Sequence, residues 1–145
     1  MTLTLFTDYS LRILMYAAMR GRNQFSVDDV AEAYGLSRNH VAKAVNFLAH
    51  HGYLEARRGR GGGISLGKPA TEICIGAVVR QTETGPPLIE CFDAATNTCP
   101  IIRACVLKRA LAEAWNAFFA VLDGYTLADL VRKPALLANT LALQA

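Results

Sequence analysis

Long hydrophobic runs are missing from this 145-residue chain, and no stretch approaches the length of a membrane-spanning helix. Its first residues, MTLTLFTDYSLR, lack the basic region and the uninterrupted apolar region of a signal peptide. We therefore expect a cytoplasmic protein with no membrane partner, in which thiols stay reduced. Charged residues are also few, at 19% against 52% hydrophobic residues, and this balance excludes a disordered chain.

Motifs of enzyme chemistry are lacking as well. The only histidines are His40, His50 and His51, and there is no HExxH spacing, carboxylate pair or nucleophile–base pair. The glycine-rich stretch GRGGG precedes a predicted strand and lacks the Lys-Ser/Thr pair and following helix of a phosphate-binding loop. We therefore predict that the protein is not an enzyme.

Positive charge is present but unevenly distributed. Residues 1–68 contain nine Lys/Arg and five Asp/Glu, whereas residues 69–145 contain six and seven. The N-terminal half therefore has a balance of +4 and the rest a balance of −1, so the N-terminal half could face a polyanion such as DNA.

Apolar periodicity predicts three helices in this half: Asp8 to Met19, capped by Thr7 or Asp8, a second capped by Ser26, and a third from Ser37 to Gly52. Their predicted buried faces are Leu11, Leu14, Met15 and Ala18 in the first, Val27, Val30, Ala31 and Tyr34 in the second, and Val41, Ala44, Val45 and Leu48 in the third. Gly35 would end the second helix with a positive φ, which is typical of a helix-turn-helix. A small helical domain that does not bind DNA would show a similar pattern.

The segment GYLEARRGRGGGISLGKP predicts a β-hairpin directly after these helices, with strands at Tyr53 to Arg57 and Ile64 to Leu66. A hairpin at this position is the wing of a winged-helix domain, although a solvated charged hairpin is the alternative. We expect Arg38 to read guanine, Asn39 adenine, and Lys43 to meet phosphate. The predicted DNA-binding residues are Ser37, Arg38, Asn39, His40, Lys43, Arg57, Arg58, Arg60, Gly61 and Gly62.

Three of the four cysteines lie within ECFDAATNTCPIIRAC, separated by seven and five residues. This spacing differs from the C-x₂-C pairs of structural zinc sites and from ferredoxin runs. Reduced thiols argue against a disulfide, and four interpretations remain open: an iron–sulfur cluster, a zinc site, a thiol redox sensor, or cysteines without a function. Because the loop holds only three cysteines, a fourth ligand must come from elsewhere. Cys74 has no partner nearby and is interpreted as a small apolar side chain.

A strongly apolar helix is predicted from Cys105 to Gly124, and Thr126 would cap a short final helix. Its apolar residues cover more than one side, so we expect the helix to pair with its copy in a homodimer. The tail after Pro134 is expected to be poorly anchored. The predicted fold class is mainly α with a small β-hairpin wing: a winged helix-turn-helix over residues 1–83, a cysteine-rich loop over 84–104, and a dimerisation helix and tail over 105–145.

Several segments together resemble the NsrR regulators, nitric-oxide-sensing repressors of the IscR/NsrR winged-helix group. The segments are FTDYSLRILMY, GLSRNHVAKAVNFL, ARRGRGGGISLGKP, the three cysteines and FFAVLDGYTLADL, and the resemblance runs from Leu3 to about Val131. SRNH and YTLADL are its most specific parts. The resemblance implies a homodimeric repressor that binds double-stranded operator DNA and releases it when nitric oxide reacts with an iron–sulfur cluster.

The resemblance also implies a ligand set, formed by Cys91, Cys99, Cys105 and Asp8 of the partner subunit. A [4Fe–4S] cluster is favoured over a [2Fe–2S] cluster. The histidine that ligates in the IscR branch is replaced here by Lys108, which excludes histidine ligation at this position. Iron-responsive relatives share the seven-residue gap, so an iron-responsive regulator, or a zinc- or thiol-based one of the same fold, is the alternative function.

Overall fold

The computed structural model describes residues 2–57, 59, 62–85 and 89–141. Helix α1 spans Leu5–Arg20 and begins earlier than predicted, because the Thr4 side chain accepts a hydrogen bond from the Thr7 N–H and caps it. The predicted start at Asp8 is therefore wrong. The buried face is also rotated from the predicted one: Leu14 is buried, but Leu11, Met15 and Ala18 are only half-buried. The residues buried on α1 are Thr7, Ser10, Ile13, Leu14, Tyr16 and Ala17.

Helices α2 (Val27–Tyr34) and α3 (Arg38–His50) form the predicted helix-turn-helix. Ser26 and Asp29 form a reciprocal capping box, and Gly35 ends α2 in the left-handed conformation at φ 63°. The predicted core face of α3 is confirmed, since Val41, Ala44, Val45 and Leu48 are all buried. Of the predicted α2 face, Val30 and Ala31 are buried, while Val27 and Tyr34 are half-buried.

The hairpin consists of β1 (Leu54–Ala56) and β2 (Ile64–Leu66), which pair antiparallel with Leu54 opposite Leu66. Phe25 pairs with Ile64 in an isolated bridge, so the chain between α1 and α2 anchors β2 at the end nearer the turn of the hairpin. The predicted bounds of β2 are confirmed, whereas β1 is one residue shorter at each end than the predicted Tyr53 to Arg57. Together, the three helices and the hairpin confirm the winged-helix prediction.

The C-terminal half adds α4 (Ile75–Thr82), α5 (Val106–Asp123), α6 (Leu127–Leu130) and α7 (Pro134–Thr140), with short 3₁₀ turns at Ala70–Glu72 and Glu90–Phe92. Thr126 caps α6 as predicted, in a capping box with Asp129. The first part of the tail that was expected to be poorly anchored forms α7, and residues 142–145 lie outside the described residues. No helix within the described ranges combines the length and the apolarity that crossing a membrane requires.

A single core joins the two halves of the chain. The Leu127 N–H bonds the Ile73 carbonyl at 2.8 Å, and the Ile75 N–H bonds the Tyr125 carbonyl at 3.0 Å. Leu127 is completely buried and Phe119 nearly so, in the same cluster as the residues of α1 and α3. The inner side of α5 packs on α4, which in turn packs on α1, and the other side of α5 faces outward.

Candidate DNA-binding surface and cysteine site

The N-terminal end of α3 faces solvent. Burial of Val41 and Ala44 on one side of the helix turns the other side outward, and every predicted recognition residue on α3 is exposed. These residues are Ser37, Arg38, Asn39, His40 and Lys43. A protruding helix end with this composition suits the major groove of DNA.

Arg38 is paired with a residue that the sequence pattern did not single out. Its Nε atom donates to Oδ1 of Asp28, in the first turn of α2, at 2.5 Å. The two residues are ten positions apart, and the helix-turn-helix brings them together. No periodicity or motif signals such a contact.

Two side chains of α1 lie beside the recognition helix. The Tyr9 ring is 6.0 Å from the His40 ring, and the Lys43 ammonium lies 5.9 Å from the centre of the Phe6 ring. Tyr9 was not predicted as part of this surface. Only its position in the first half of α1 pointed to Tyr9, because the contact between Tyr9 and His40 depends on how α1 crosses α3.

The wing carries Arg57 at its exposed edge. The Arg57 N–H bonds the Gly63 carbonyl at 2.9 Å, which continues the hairpin, and the Arg57 side chain contacts Glu55 at 3.1 Å. Gly62 is exposed, as predicted. Gly63 lies against Gln24, where an added Cβ would come within 2.8 Å of the Gln24 Cβ, so the close approach requires glycine. The predicted contacts at Arg58, Arg60 and Gly61 lie outside the described residues.

The three clustered cysteines are free and half-buried. Cys91 lies in the Glu90–Phe92 turn, Cys99 follows in the loop, and Cys105 caps α5, where its Sγ accepts from the Lys108 N–H at 3.3 Å. The N-terminus of a helix favours a negative charge, so this position suits a thiolate. The donor chemistry therefore fits a thiolate-ligated metal group.

The arrangement in one chain does not complete a metal site. Among the described residues, no three His, Cys, Asp or Glu side chains are grouped closely enough to hold a metal ion. The loop is instead held by its own hydrogen bonds, including one from the Thr98 N–H to Glu90 at 3.3 Å. A bound group would need the cysteines to converge and would need a further ligand.

Asp8 lies in the first turn of α1 with 40% of its side chain exposed. Its carboxylate accepts from Arg12 Nε at 3.0 Å and lies 2.8 Å from Arg12 Nη2. Because this ion pair is accessible to solvent, exchanging Arg12 for another partner would cost little free energy.

The first turn of α1 is joined to the beginning of the cysteine loop. Glu83, directly after α4, accepts hydrogen bonds from the Thr4 N–H at 2.7 Å and from the Thr7 hydroxyl. Burial would raise the pKa of Glu83, but the hydrogen bonds from Thr7 and Thr4 outweigh it and hold this pKa below its ordinary value. The carboxylate thus connects the turn that carries Asp8 to the segment that leads to Cys91.

Cys74 lies apart from the other thiols, at the start of α4. Its Sγ is 3.7 Å from Oδ1 of Asp123, whose carboxylate accepts from both terminal nitrogens of Arg80 at 2.6 and 2.7 Å. These bonds from Arg80 hold the pKa of Asp123 below its ordinary value. Gly76 is required here, because an added Cβ would come within 2.0 Å of Asp123. The cluster fastens α4 to the end of α5.

The helix-turn-helix, the wing and the exposed recognition residues define a winged-helix transcription regulator. The chain belongs to the Rrf2 family, whose model, described as an iron-dependent transcriptional regulator, matches residues 3–133.

Two relatives extend the match to nearly the whole chain. The HTH-type transcriptional regulator NsrR of Bacillus subtilis is 49% identical over 133 residues, 91% of each chain. The regulator of the same name from Geobacillus kaustophilus is 46% identical over 142 residues, 97% of each chain. The predicted resemblance to the NsrR regulators is therefore confirmed. These relatives are transcriptional regulators, which also confirms the prediction that the chain is not an enzyme.

Solved structures show the same fold. Staphylococcus aureus CymR superposes with a TM-score of 0.69 at 29% identity, covering 88% of this chain and 95% of CymR. IscR of T. potens superposes with a TM-score of 0.75 at 21% identity, covering 100% of this chain and 93% of IscR. The predicted fold class is thus confirmed by independent structures.

Proposed function

We propose that this transcriptional regulator is a homodimeric repressor whose operator binding depends on a bound iron–sulfur cluster and is lost on exposure to nitric oxide, so that nitric-oxide stress genes are expressed. The observation that carries the proposal is the hydrogen-bonded link between Glu83 and the first turn of α1. It connects the segment before the cysteines to the helix that packs on α3. The resemblance to the NsrR regulators supplies the signal.

The ligands in this proposal are Cys91, Cys99 and Cys105, with Asp8 of the partner subunit as the fourth. When bound, the cluster would supply iron with which nitric oxide reacts. Two observations support this ligand set: the three thiols are free, and the Cys105 Sγ already accepts a backbone N–H at a helix N-terminus.

Coupling to DNA runs through α1. Asp8 follows Thr7, whose hydroxyl donates to Glu83. In the same turn of α1, the Phe6 ring packs edge-on against Phe47 of α3 with centroids 5.2 Å apart. A shift of the first turn of α1 would therefore move α3 relative to its copy in the dimer. A coupling free energy of about 1–3 kcal/mol would change operator affinity about 5- to 150-fold.

The homodimer is supported by the outward face of α5. Its residues are apolar or small and all are exposed in the single chain: Val106, Leu107, Ala110, Ala114, Ala117 and Val121. They lie within about 100° of one another around the helix, at about 100° per residue. A second copy of α5 would cover this stripe and set the spacing of the two recognition helices for two operator half-sites.

The experiment begins with anaerobic purification, a visible spectrum, and iron and sulfide analysis. Gel shifts with operator DNA then compare cluster-loaded protein, apoprotein, and loaded protein after nitric oxide. We expect Cys99→Ser to lose both the visible absorption and the tight operator binding, while the matched variant Cys74→Ser keeps both. Equal operator affinity of loaded protein and apoprotein would refute the proposal, as would a colourless protein containing zinc.

Iron itself is a second candidate signal, because the matching family model is described as an iron-dependent regulator. Chelation of iron in the growing cell, followed by measurement of a reporter gene behind the operator, separates the two signals. Derepression by iron depletion with no response to nitric oxide would favour this candidate.

A further inference from the structure

The ion pair between α2 and α3 lies at the exposed N-terminal end of the proposed recognition helix. Asp28 is in the first turn of α2, and Arg38 is the first residue of α3. The turn between them is well defined, since Gly35 adopts a left-handed conformation and the Leu36 N–H bonds the Ala31 carbonyl at 2.9 Å. The separation of the two side chains is therefore set by the backbone of the motif.

The pair uses only one part of the Arg38 guanidinium. Nε donates to Oδ1 of Asp28 at 2.5 Å, while Nη1 and Nη2 have no acceptor among the residues that the structure describes. Those two terminal nitrogens form the fork that donates to O6 and N7 of guanine. Asp28 thus engages the side of the guanidinium that guanine recognition leaves free.

Stability does not explain the pair. The Arg38 and Asp28 side chains are 68% and 66% exposed, and ion pairs this accessible contribute little to folding. A carboxylate on a surface that meets phosphates also opposes binding through repulsion. An arginine that is held before binding, however, loses less conformational entropy when it contacts a base.

We propose that Asp28 is a positioning residue for DNA recognition: its carboxylate holds Arg38 so that Nη1 and Nη2 read a guanine in the operator. The inference rests on the proposed operator binding. Asp28 therefore increases the preference for the operator over other sequences, whereas its negative charge lowers the affinity for any DNA. These two effects have opposite signs, and an experiment can separate them.

The test uses the full-length protein. Operator sequences are selected from random double-stranded DNA, and each guanine of a half-site is then replaced singly by 7-deazaguanine, which lacks the N7 acceptor. For the wild type, we expect one position at which the replacement lowers affinity roughly two- to tenfold. Arg38→Ala should abolish that effect at the same position and leave the effects at other guanines unchanged.

The Asp28 variants then decide the positioning role. We expect Asp28→Ala to reduce the effect of 7-deazaguanine at that position to less than about twofold, while affinity for random-sequence DNA stays equal or rises. Asp28→Asn keeps an oxygen acceptor for Nε and should retain part of the effect. The matched control is Glu32→Ala, which removes a charge from the exposed side of the same helix and should leave the effect intact.

Three outcomes would overturn the inference: an unchanged 7-deazaguanine effect in Asp28→Ala, an equal reduction in Glu32→Ala, or a full effect in Arg38→Ala. Thermal unfolding of each variant checks that the fold is kept. A wild-type protein, loaded with its cluster, that selects no sequence would overturn the proposed operator binding as well, so the two failures are distinguishable.

Discussion

The outward face of α5 leads to a quantitative prediction about assembly. Val106, Leu107 and Val121 are 68%, 65% and 63% exposed in the single chain. Complete burial of a Val or Leu side chain contributes about 1.5–3 kcal/mol, so about two-thirds of it, or ~1–2 kcal/mol, remains available to a dimer. Each side chain occurs twice across a two-fold interface, so one substitution removes ~2–4 kcal/mol. The dimer dissociation constant should rise about 30- to 1000-fold.

Val121→Lys is the most informative change. It lies in the last turn of α5, where a cation is favourable and lysine is a good helix former, so the single chain should keep its stability. The matched control, Asn116→Lys, adds the same charge about 140° around the same helix, on its polar side. Analytical ultracentrifugation over a range of protein concentrations measures the dissociation constants.

The expected result is a dimer for the wild type and for Asn116→Lys, and a monomer for Val121→Lys that still unfolds cooperatively but at a lower midpoint, because it lacks the stabilisation that dimerisation adds. A monomeric wild type at micromolar concentration would falsify the reasoning. So would a Val121→Lys dissociation constant within threefold of the wild type, because the exposed face would then be solvated in the native protein.

Three further predictions concern stability and DNA binding. Glu83→Gln should lower the free energy of unfolding at neutral pH by about 1 kcal/mol. Because the folded-state pKa of Glu83 is lowered, the stabilisation by its carboxylate is complete above the ordinary pKa of 4.5 and is lost as the pH falls through the folded-state value. The free energies of unfolding of the variant and the wild type, measured by urea denaturation, should therefore converge in acid. Leu48→Ala should lower the free energy of unfolding, measured by urea denaturation, by about 2–5 kcal/mol, because Leu48 is wholly buried on α3. Its control, Asn46→Ala at an exposed position of the same helix, should change this free energy by less than about 0.5 kcal/mol. Equal losses in the two variants would contradict the assignment of the core face. Arg57→Ala should weaken binding to all DNA sequences and reduce the slope of affinity against salt by about one, and a sequence-selective loss in filter binding would argue against a phosphate contact.

Local signals in the sequence predicted much of the helix-turn-helix. The Ser26 cap, the left-handed Gly35 and the buried face of α3 all depend on residues within four positions of one another. The start of α1 was missed, because Thr4 caps the helix as well as Thr7 or Asp8 could, and the choice depends on Glu83. Its buried face was predicted only in part, since apolar residues surround most of α1 and packing alone selects the side that is fully covered.

The cysteine site shows the same division. Spacing predicted three candidate ligands, and a resemblance supplied the fourth, yet the described part of a single chain does not bring the three thiols together. The position of Cys105 at the N-terminus of α5 was predictable from the helix that follows it. The ion pair of Asp8 with Arg12 and the link through Glu83 were not, because neither the charge pattern nor the spacing specifies which carboxylate meets which donor.

The sequence by itself determined the order of the elements, the helix-turn-helix with its wing, the family and the candidate ligands, because these depend on short-range periodicity, caps and motifs. Only the tertiary structure decided which side of α1 is buried, which face of α5 is left for a partner, and which groups meet across the fold. The Asp28–Arg38 pair and the Glu83–Thr7 contact join residues ten and 76 positions apart. Such contacts form only when packed helices fix the distance between side chains, so the sequence pattern includes both residues of each pair but does not indicate that they are in contact.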